Sequence, residues 1–218
     1  VYSSYGYCLY RLNRLNEALE YFNKAIAIDE EVGNIESASE RMYDVGLILK
    51  ESGYFAESER FFKNAIDFFE KQGNPQALRN CYSGLAAALE KQGVDDKAKY
   101  NEAIEYLKKA DEIDKTLKTD KAPLAVYNVQ KSACIFEALE SWDEAYNQFI
   151  ESLNRGVTKE QKYFIASRIF NIGCRIAELK QNFPLAQKFY NLALQLWKEL
   201  GRNDKYADTL NNLALIEV

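Results

Sequence analysis

The stretch Ala18-Leu-Glu-Tyr-Phe22-Asn-Lys-Ala25 sets the pattern that decides the fold. It places a small, an aromatic and a second small residue at positions that share one face of a helix. The pattern returns as Ser58, Phe62 and Ala65; Ala103, Leu107 and Ala110; Ala145, Phe149 and Ser152; and Ala186, Tyr190 and Ala193. Counted from the first small residue, the copies lie 40, 45, 42 and 41 residues apart. This period predicts stacked helical hairpins.

A further small residue recurs ahead of each of the five triplets, on a helix of its own, and once more on the final helix. These residues are Gly6, Gly46, Gly84, Ala133, Gly173 and Ala214. Glycine inside a helix costs about 1 kcal/mol relative to alanine, so its repeated use predicts that two helices approach closely here. We call the helix with this mark the A helix of a hairpin, and the helix with the triplet the B helix.

Turn signals divide the chain into five hairpins and one further helix. We expect hairpins at about 1–33, 34–73, 74–118, 121–156 and 158–201, and a final helix at 203–218. Gly33 and Asn34 are expected to end one helix and cap the next. Asn74 and Pro75 are expected to cap and open the third hairpin.

Two further boundaries have the sequence of a capping box, in which a hydroxyl side chain and an acid or amide three residues later satisfy each other's backbone N–H groups. The first is Ser141-Trp-Asp-Glu144, at the turn of the fourth hairpin. The second is Thr158 with Gln161, at the start of the fifth.

The third hairpin is longer than the others. From Gly84 to Ala103 the distance is 19 residues, whereas it is 12 from Gly46 to Ser58. The seven additional residues lie around 94–100. A longer turn or an extended B helix would accommodate them at little cost; alternatively, they form an added contact element on one rim.

Both ends of the sequence suggest a fragment of a longer protein. The chain starts at Val1 rather than at a methionine. The final helix carries Leu210, Leu213 and Ile216 but has no B helix to cover them. Because the end of a repeat array normally needs a polar cap, we expect the natural protein to continue or this helix to mediate self-association.

Composition excludes several classes of function. The net charge of −5 provides no basic surface for nucleic acid, and no apolar run of 18 residues or secretory signal is present. The four cysteines form no C-x-x-C pair, which favours free thiols and a cytoplasmic location. Histidine is absent, and so are phosphate-binding loops and metal-ligand spacings. We therefore expect no catalytic site, no cofactor and no metal.

With its triplets and in-register small residues, the chain resembles tetratricopeptide repeat (TPR) proteins over essentially its whole length. Val45-Gly46-x-x-Leu49 followed by Ser58-x₃-Phe62 is a good copy of the signature. The period near 40 is similar to that of the long-repeat branch, which includes Pins-type adaptors, SNAP adaptors and bacterial peptide-sensing regulators of the Rap and PlcR kind. The resemblance implies an all-α fold, a right-handed α-solenoid of about five antiparallel hairpins plus one terminal helix.

The resemblance also implies where a partner binds, because TPR proteins use the concave wall formed by their A helices. We expect the partner-binding residues to include Tyr7, Tyr43, Leu47, Leu85, Tyr127, Gln130, Lys131, Phe170, Asn171 and Asn211. This set describes an apolar groove with a few polar groups, suited to a peptide or an amphipathic helix. A chaperone-tail clamp is disfavoured, since the required basic and amide residues are missing.

The leading hypothesis is a non-catalytic scaffold or adaptor that binds another protein or peptide, without nucleic acid binding or membrane insertion. One alternative is a peptide-gated regulator that shifts an attached effector domain. Another is a SNAP-like adaptor in membrane fusion, although that function calls for a basic face. An enzyme is the least favoured reading.

Overall fold

A computed structural model describes residues 1–216. Within them, eleven helices and no strand are present, so the fold is all-α and built of helical repeats. The chain divides into two compact units, Val1–Thr119 and Asp120–Val218. The expectation of one continuous right-handed array across residues 1–218 stays a prediction, and so does the end of the final helix at Val218, which lies outside the described residues.

Unit 1 contains three hairpins. Their A and B helices are α1 (Tyr2–Arg11) and α2 (Leu15–Glu31), α3 (Ile35–Glu51) and α4 (Phe55–Gln72), and α5 (Pro75–Gln92) and α6 (Lys97–Thr116). Each helix packs on the one that follows it in sequence. The turns inside the hairpins are three or four residues long, which forces the two helices of a pair to lie antiparallel.

Unit 2 contains two hairpins and a final A helix. The helices are α7 (Pro123–Ala138) and α8 (Trp142–Arg155), α9 (Lys159–Arg175) and α10 (Phe183–Leu200), and α11 (Asn203–Ile216). A π-helical segment, Ile176–Lys180, continues α9. α11 packs against α10, but Leu210 and Leu215 on it remain exposed.

The triplets form the cores of both units. Every residue of the five triplets is buried. The small residue of the A helix then lies under the aromatic ring of the triplet, because a Cβ added at Gly46 would be 2.9 Å from the Phe62 ring and one at Gly173 would be 2.8 Å from the Tyr190 ring. Phe62 also touches Gly84 of the next hairpin. The predicted close approach of the two helices is therefore confirmed at these glycines, whereas Ala214 on α11 is exposed, and the prediction is wrong there.

Two of the predicted caps form and two do not. Asn74 accepts a hydrogen bond from the Ala77 N–H at 3.1 Å, and Thr158 and Gln161 form the reciprocal capping box. Asn34 and Ser141 occupy the N-cap position without a side-chain bond, so those two predictions are wrong. At Ser141, ψ is 74°, whereas at Thr158 it is 167°. At a similar ψ of 76°, the longer Asn182 side chain does accept a hydrogen bond from the Leu185 N–H at 3.2 Å, so ψ alone does not explain the missing bond at Ser141.

The seven additional residues of the third hairpin lengthen both of its helices. α5 continues eight residues beyond Gly84, whereas α3 continues five beyond Gly46. α6 begins six residues before Ala103, whereas α4 begins three before Ser58, and the turn itself grows by only one residue. The insertion is thus a helical extension of about one turn on each helix, rather than a loop.

This extension lies against the start of α4. The Gln92 Nε2 donates to Glu59 at 2.9 Å, and the Lys99 Nζ donates to the same carboxylate at 3.1 Å. Lys63 of α4 donates to Glu102 at 2.8 Å. These contacts fix the extension to the neighbouring hairpin; a role as a contact element for a partner stays a prediction.

Candidate functional site

The ten predicted partner-binding residues all lie on A helices, and they differ in accessibility. In unit 1, Tyr7 is exposed and Tyr43 and Leu47 are half-buried, whereas Leu85 is fully buried. In unit 2, Tyr127, Asn171 and Asn211 are exposed, Lys131 and Phe170 are half-buried, and Gln130 is buried. Leu85 and Gln130 therefore belong to helix packing in this structure. A partner-binding role for the other eight stays a prediction.

Tyr7 links the first two A helices. Its hydroxyl donates to the Asp44 Oδ2 at 2.6 Å, and its ring lies edge-on against Phe22 with 5.0 Å between centroids. Partial burial, followed by the hydrogen bond to Asp44, raises the pKa of Tyr7. The phenol is therefore held in its neutral, donating form, and the Asp44 carboxylate is fixed at the surface between α1 and α3.

Tyr43 stands beside Asp44 on α3 and forms one wall of a cavity. Its ring packs on Phe62 with 5.8 Å between centroids. Burial, followed by the nearby Cys81 and Asp44, raises the pKa of Tyr43. The cavity measures about 300 Å³ and is lined by Glu40, Tyr43, Asp44, Phe69, Asn74, Ala77 and Asn80. Unit 1 thus brings one predicted binding residue, Tyr43, into a partly open cavity between α3 and α5.

Asp44 and Asn80 were not among the predicted binding residues. Asp44 directly follows Tyr43, and Asn80 lies one helical turn before Gly84 on α5. Helical spacing indicates which residues share a face, but only the packing of α3 against α5 shows that these two line the same cavity.

A second signal that the sequence analysis missed is an arginine five residues before three of the in-register glycines. These residues are Arg41, Arg79 and Arg168. Each one pairs with a carboxylate, namely Asp29, Asp114 and Glu137 respectively. Searching the A helices for Arg-x₄-Gly would have found them, and their role is to tie neighbouring helices together.

In unit 2, Glu137 of α7 is the most buried charged residue of the A helices, and it forms ion pairs with two arginines of α9. Glu137 lies 2.7 Å from Arg168 and 3.4 Å from Arg175. Burial raises the pKa of Glu137, and the two guanidinium groups oppose that shift. The Arg175 guanidinium also stacks 5.0 Å from the centre of the Trp142 ring. Each charged group in this cluster pairs with a group of opposite charge. We therefore assign the cluster to the packing of α7 against α9.

The predicted residues of unit 2 lie on three separate helices. Phe170 packs against Tyr190 with 6.1 Å between ring centroids, and Lys131 lies 5.5 Å over the Tyr127 ring. Asn211 is on α11. Among the predicted residues, Tyr43 of unit 1 lines a defined cavity, so unit 1 holds the better-formed candidate site.

Two features of residues 1–216 concern metal binding and thiol reactivity. No group of three or more cysteine, aspartate and glutamate side chains is arranged to hold a metal ion there. All four cysteines are free thiols, and burial raises the pKa of Cys81 to about 12, which keeps that thiol protonated and unreactive. Among the described helices, none combines the length and apolarity needed to cross a membrane.

Comparison with protein families identifies repeats at two places. Models of the tetratricopeptide repeat match residues 1–32, which cover the first hairpin, and residues 95–117, which cover α6. No curated protein sequence gives a significant match.

Comparison with solved structures finds the same fold in several proteins. The apo form of RapI is 18% identical over 95% of this chain and 73% of its own, with a TM-score of 0.64. A Rap protein in complex with Competence and Sporulation Factor is 13% identical over 99% of this chain and 62% of its own, with a TM-score of 0.58. PilF of Pseudomonas aeruginosa is 15% identical over 97% and 80%, with a TM-score of 0.55. At these identities the likeness concerns the fold.

Proposed function

We propose that this tetratricopeptide repeat protein is a non-catalytic interaction module, a scaffold or adaptor that binds a peptide or a helix of another protein along the A helices. The observation that carries the proposal is the cavity of about 300 Å³ between α3 and α5. It is flanked by the half-buried ring of Tyr43 and contains carboxylate and amide groups. An apolar wall with a few polar groups is the surface that a bound peptide segment requires.

A peptide-gated regulator is the second candidate. Two of the similar folds are Rap proteins, one of them in complex with Competence and Sporulation Factor. In such a regulator, peptide binding to the repeats would shift an attached effector domain, whereas a scaffold would only hold its partner. Both functions use the same binding surface, and both fit the cytoplasmic location that the free cysteines favour.

The test is selection of binding peptides from a random library, followed by substitution of the A-helix aromatics. The whole chain is the bait. Tyr43→Ala should weaken the binding of peptides that contact unit 1, and Phe170→Ala should weaken the binding of peptides that contact unit 2. Ile28→Ala and Phe183→Ala are matched controls, because both side chains are exposed and lie on B helices. Circular dichroism confirms that each variant is folded.

The two possible results separate clearly. Loss of binding in the Tyr43 or Phe170 variant, with retention in the controls, supports the A-helix surface as the binding site. Equal binding by all four variants, or a library that yields no binder, contradicts the proposal.

A further inference from the structure

The cavity beside Tyr43 carries uncompensated negative charge. Glu40 is exposed at its edge, and no hydrogen bond or ion pair engages its carboxylate among the described residues. Asp44 accepts the Tyr7 hydroxyl through Oδ2, a neutral donor that leaves the carboxylate charged. No lysine or arginine is among the residues that line the cavity.

The arginines of α3 and α5 both pair with carboxylates that do not line the cavity. Arg41 pairs with Asp29 and also donates to Ser3. Arg79 is buried, lies 3.0 Å from Asp114 and donates to the Asn80 Oδ1 at 3.0 Å. Each guanidinium is thus neutralised by a B-helix carboxylate, and neither is available to balance Glu40 and Asp44.

The walls of the cavity add apolar surface to this charge. Tyr43 presents an aromatic ring and Phe69 a buried one, while Ala77 leaves space on the α5 side. A volume of about 300 Å³ is at the lower limit for small-molecule sites. The site therefore suits one long side chain of a larger ligand better than a complete small molecule.

We infer that this cavity binds an arginine side chain of the peptide partner, with the guanidinium between Glu40 and Asp44 and the aliphatic stem on the Tyr43 ring. The inference rests on the proposed function. Arginine fits better than lysine, because its planar guanidinium can donate to two carboxylates at once and stack on an aromatic ring. Unit 1 thereby selects for a positively charged position in its ligand.

The experiment is selection of octapeptides from a random phage-displayed library on the wild-type chain, followed by affinity measurements on one selected peptide. We expect arginine to be enriched at one position. Replacing that arginine by citrulline, which has nearly the same shape but no charge, should weaken binding about tenfold. The double substitution Glu40→Gln/Asp44→Asn should weaken binding of the arginine peptide by a similar factor.

Two controls isolate the charge effect. Glu30→Gln/Asp67→Asn removes two exposed carboxylates from B helices and should leave the affinity unchanged. The citrulline peptide should bind the wild type and the Glu40→Gln/Asp44→Asn variant equally, because the interaction is already absent. The amide at position 44 retains an acceptor for Tyr7, so the variant keeps the link between α1 and α3.

The results distinguish this inference from the proposed function. Selected peptides that depend on Tyr43 but lack an arginine, or that bind the Glu40→Gln/Asp44→Asn variant normally, overturn the arginine site and leave the interaction module intact. A library that yields no binding peptide overturns both.

Discussion

At the scale of single residues, Phe62 is central to unit 1. It is fully buried, and its ring contacts the glycines of two successive A helices, Gly46 and Gly84. We expect Phe62→Ala to lower the free energy of unfolding by about 3–5 kcal/mol, since it removes a large buried side chain and leaves a cavity. Urea denaturation followed by circular dichroism measures the loss. Phe61→Ala, at a half-buried neighbour, should cost clearly less; equal losses would contradict the assigned packing.

The same contact makes a prediction for Gly84. In an isolated helix, Gly→Ala would stabilise by about 1 kcal/mol. Here the new Cβ would lie 2.6 Å from the Phe62 ring, and such overpacking costs about 1–3 kcal/mol. Gly84→Ala should therefore be destabilising in urea denaturation.

The control for Gly84 is the same substitution in a Phe62→Leu background. Removing the ring relieves the clash, so Gly84→Ala should cost less there than in the wild type. If the two costs are equal, the ring is not the cause, because residues in contact must show a coupling energy.

At the scale of helices, two sequences that look alike behave differently. Thr158 and Gln161 form a complete capping box, whereas the Ser141 hydroxyl makes no cap bond. Thr158→Ala should lower the free energy of unfolding by about 1 kcal/mol. Ser141→Ala, the matched control, should change it by less than about 0.5 kcal/mol. Thermal or urea denaturation of the two variants tests the difference, and equal losses would mean that Ser141 caps α8 in solution.

The helices show what sequence reasoning can and cannot reach. The Phe22 and Phe62 triplets were predictable, because a spacing of four and three residues places them on one face and the period of about 40 repeats that face. The missing cap at Ser141 was not, because the capping bond depends on whether the hydroxyl reaches a free N–H in the folded turn, and the residue type does not fix that geometry.

The sequence predicts which helix face carries the candidate site, but it does not predict the cavity. Tyr43 was identified from its register on the A helix. Leu85 has the same kind of register, yet it is fully buried, because α5 is packed between α4 and α6. Asp44 and Asn80 line the same cavity only because α3 packs against α5, and no spacing within one helix encodes that packing.

At the scale of the whole molecule, the repeat pattern runs through both compact units. Each unit buries its own triplets, and unit 2 carries a core centred on Phe149, Tyr190 and Trp197. This is the behaviour of a repeat protein, in which each hairpin is stabilised mainly by its neighbours. The period in the sequence therefore predicts local architecture well, while the number of compact units depends on how strongly each neighbouring pair of hairpins packs.

Stability of the whole molecule should fall in alkaline solution. Burial raises the pKa of Cys81 to about 12 and raises the pKa values of Tyr7, Tyr82 and Tyr190 above their ordinary value. In the unfolded chain, cysteine loses its proton near pH 8.5 and tyrosine near pH 10. Between those values and the folded-state pKa values, the folded chain binds more protons than the unfolded chain, so stability decreases as pH rises.

The measurement is the urea midpoint at pH 8, 9, 10 and 11 in reducing buffer at constant ionic strength. We expect a small decrease to begin near pH 8.5, from Cys81, and a steeper one near pH 10, from the tyrosines. Tyr82→Phe removes one titrating phenol together with its hydrogen bond to Glu70, 2.9 Å in length. That variant should be less stable than the wild type at pH 8 but should lose less stability between pH 9 and 11. A midpoint that stays constant to pH 11, or an unchanged slope in Tyr82→Phe, would show that these groups titrate alike in the folded and unfolded chains.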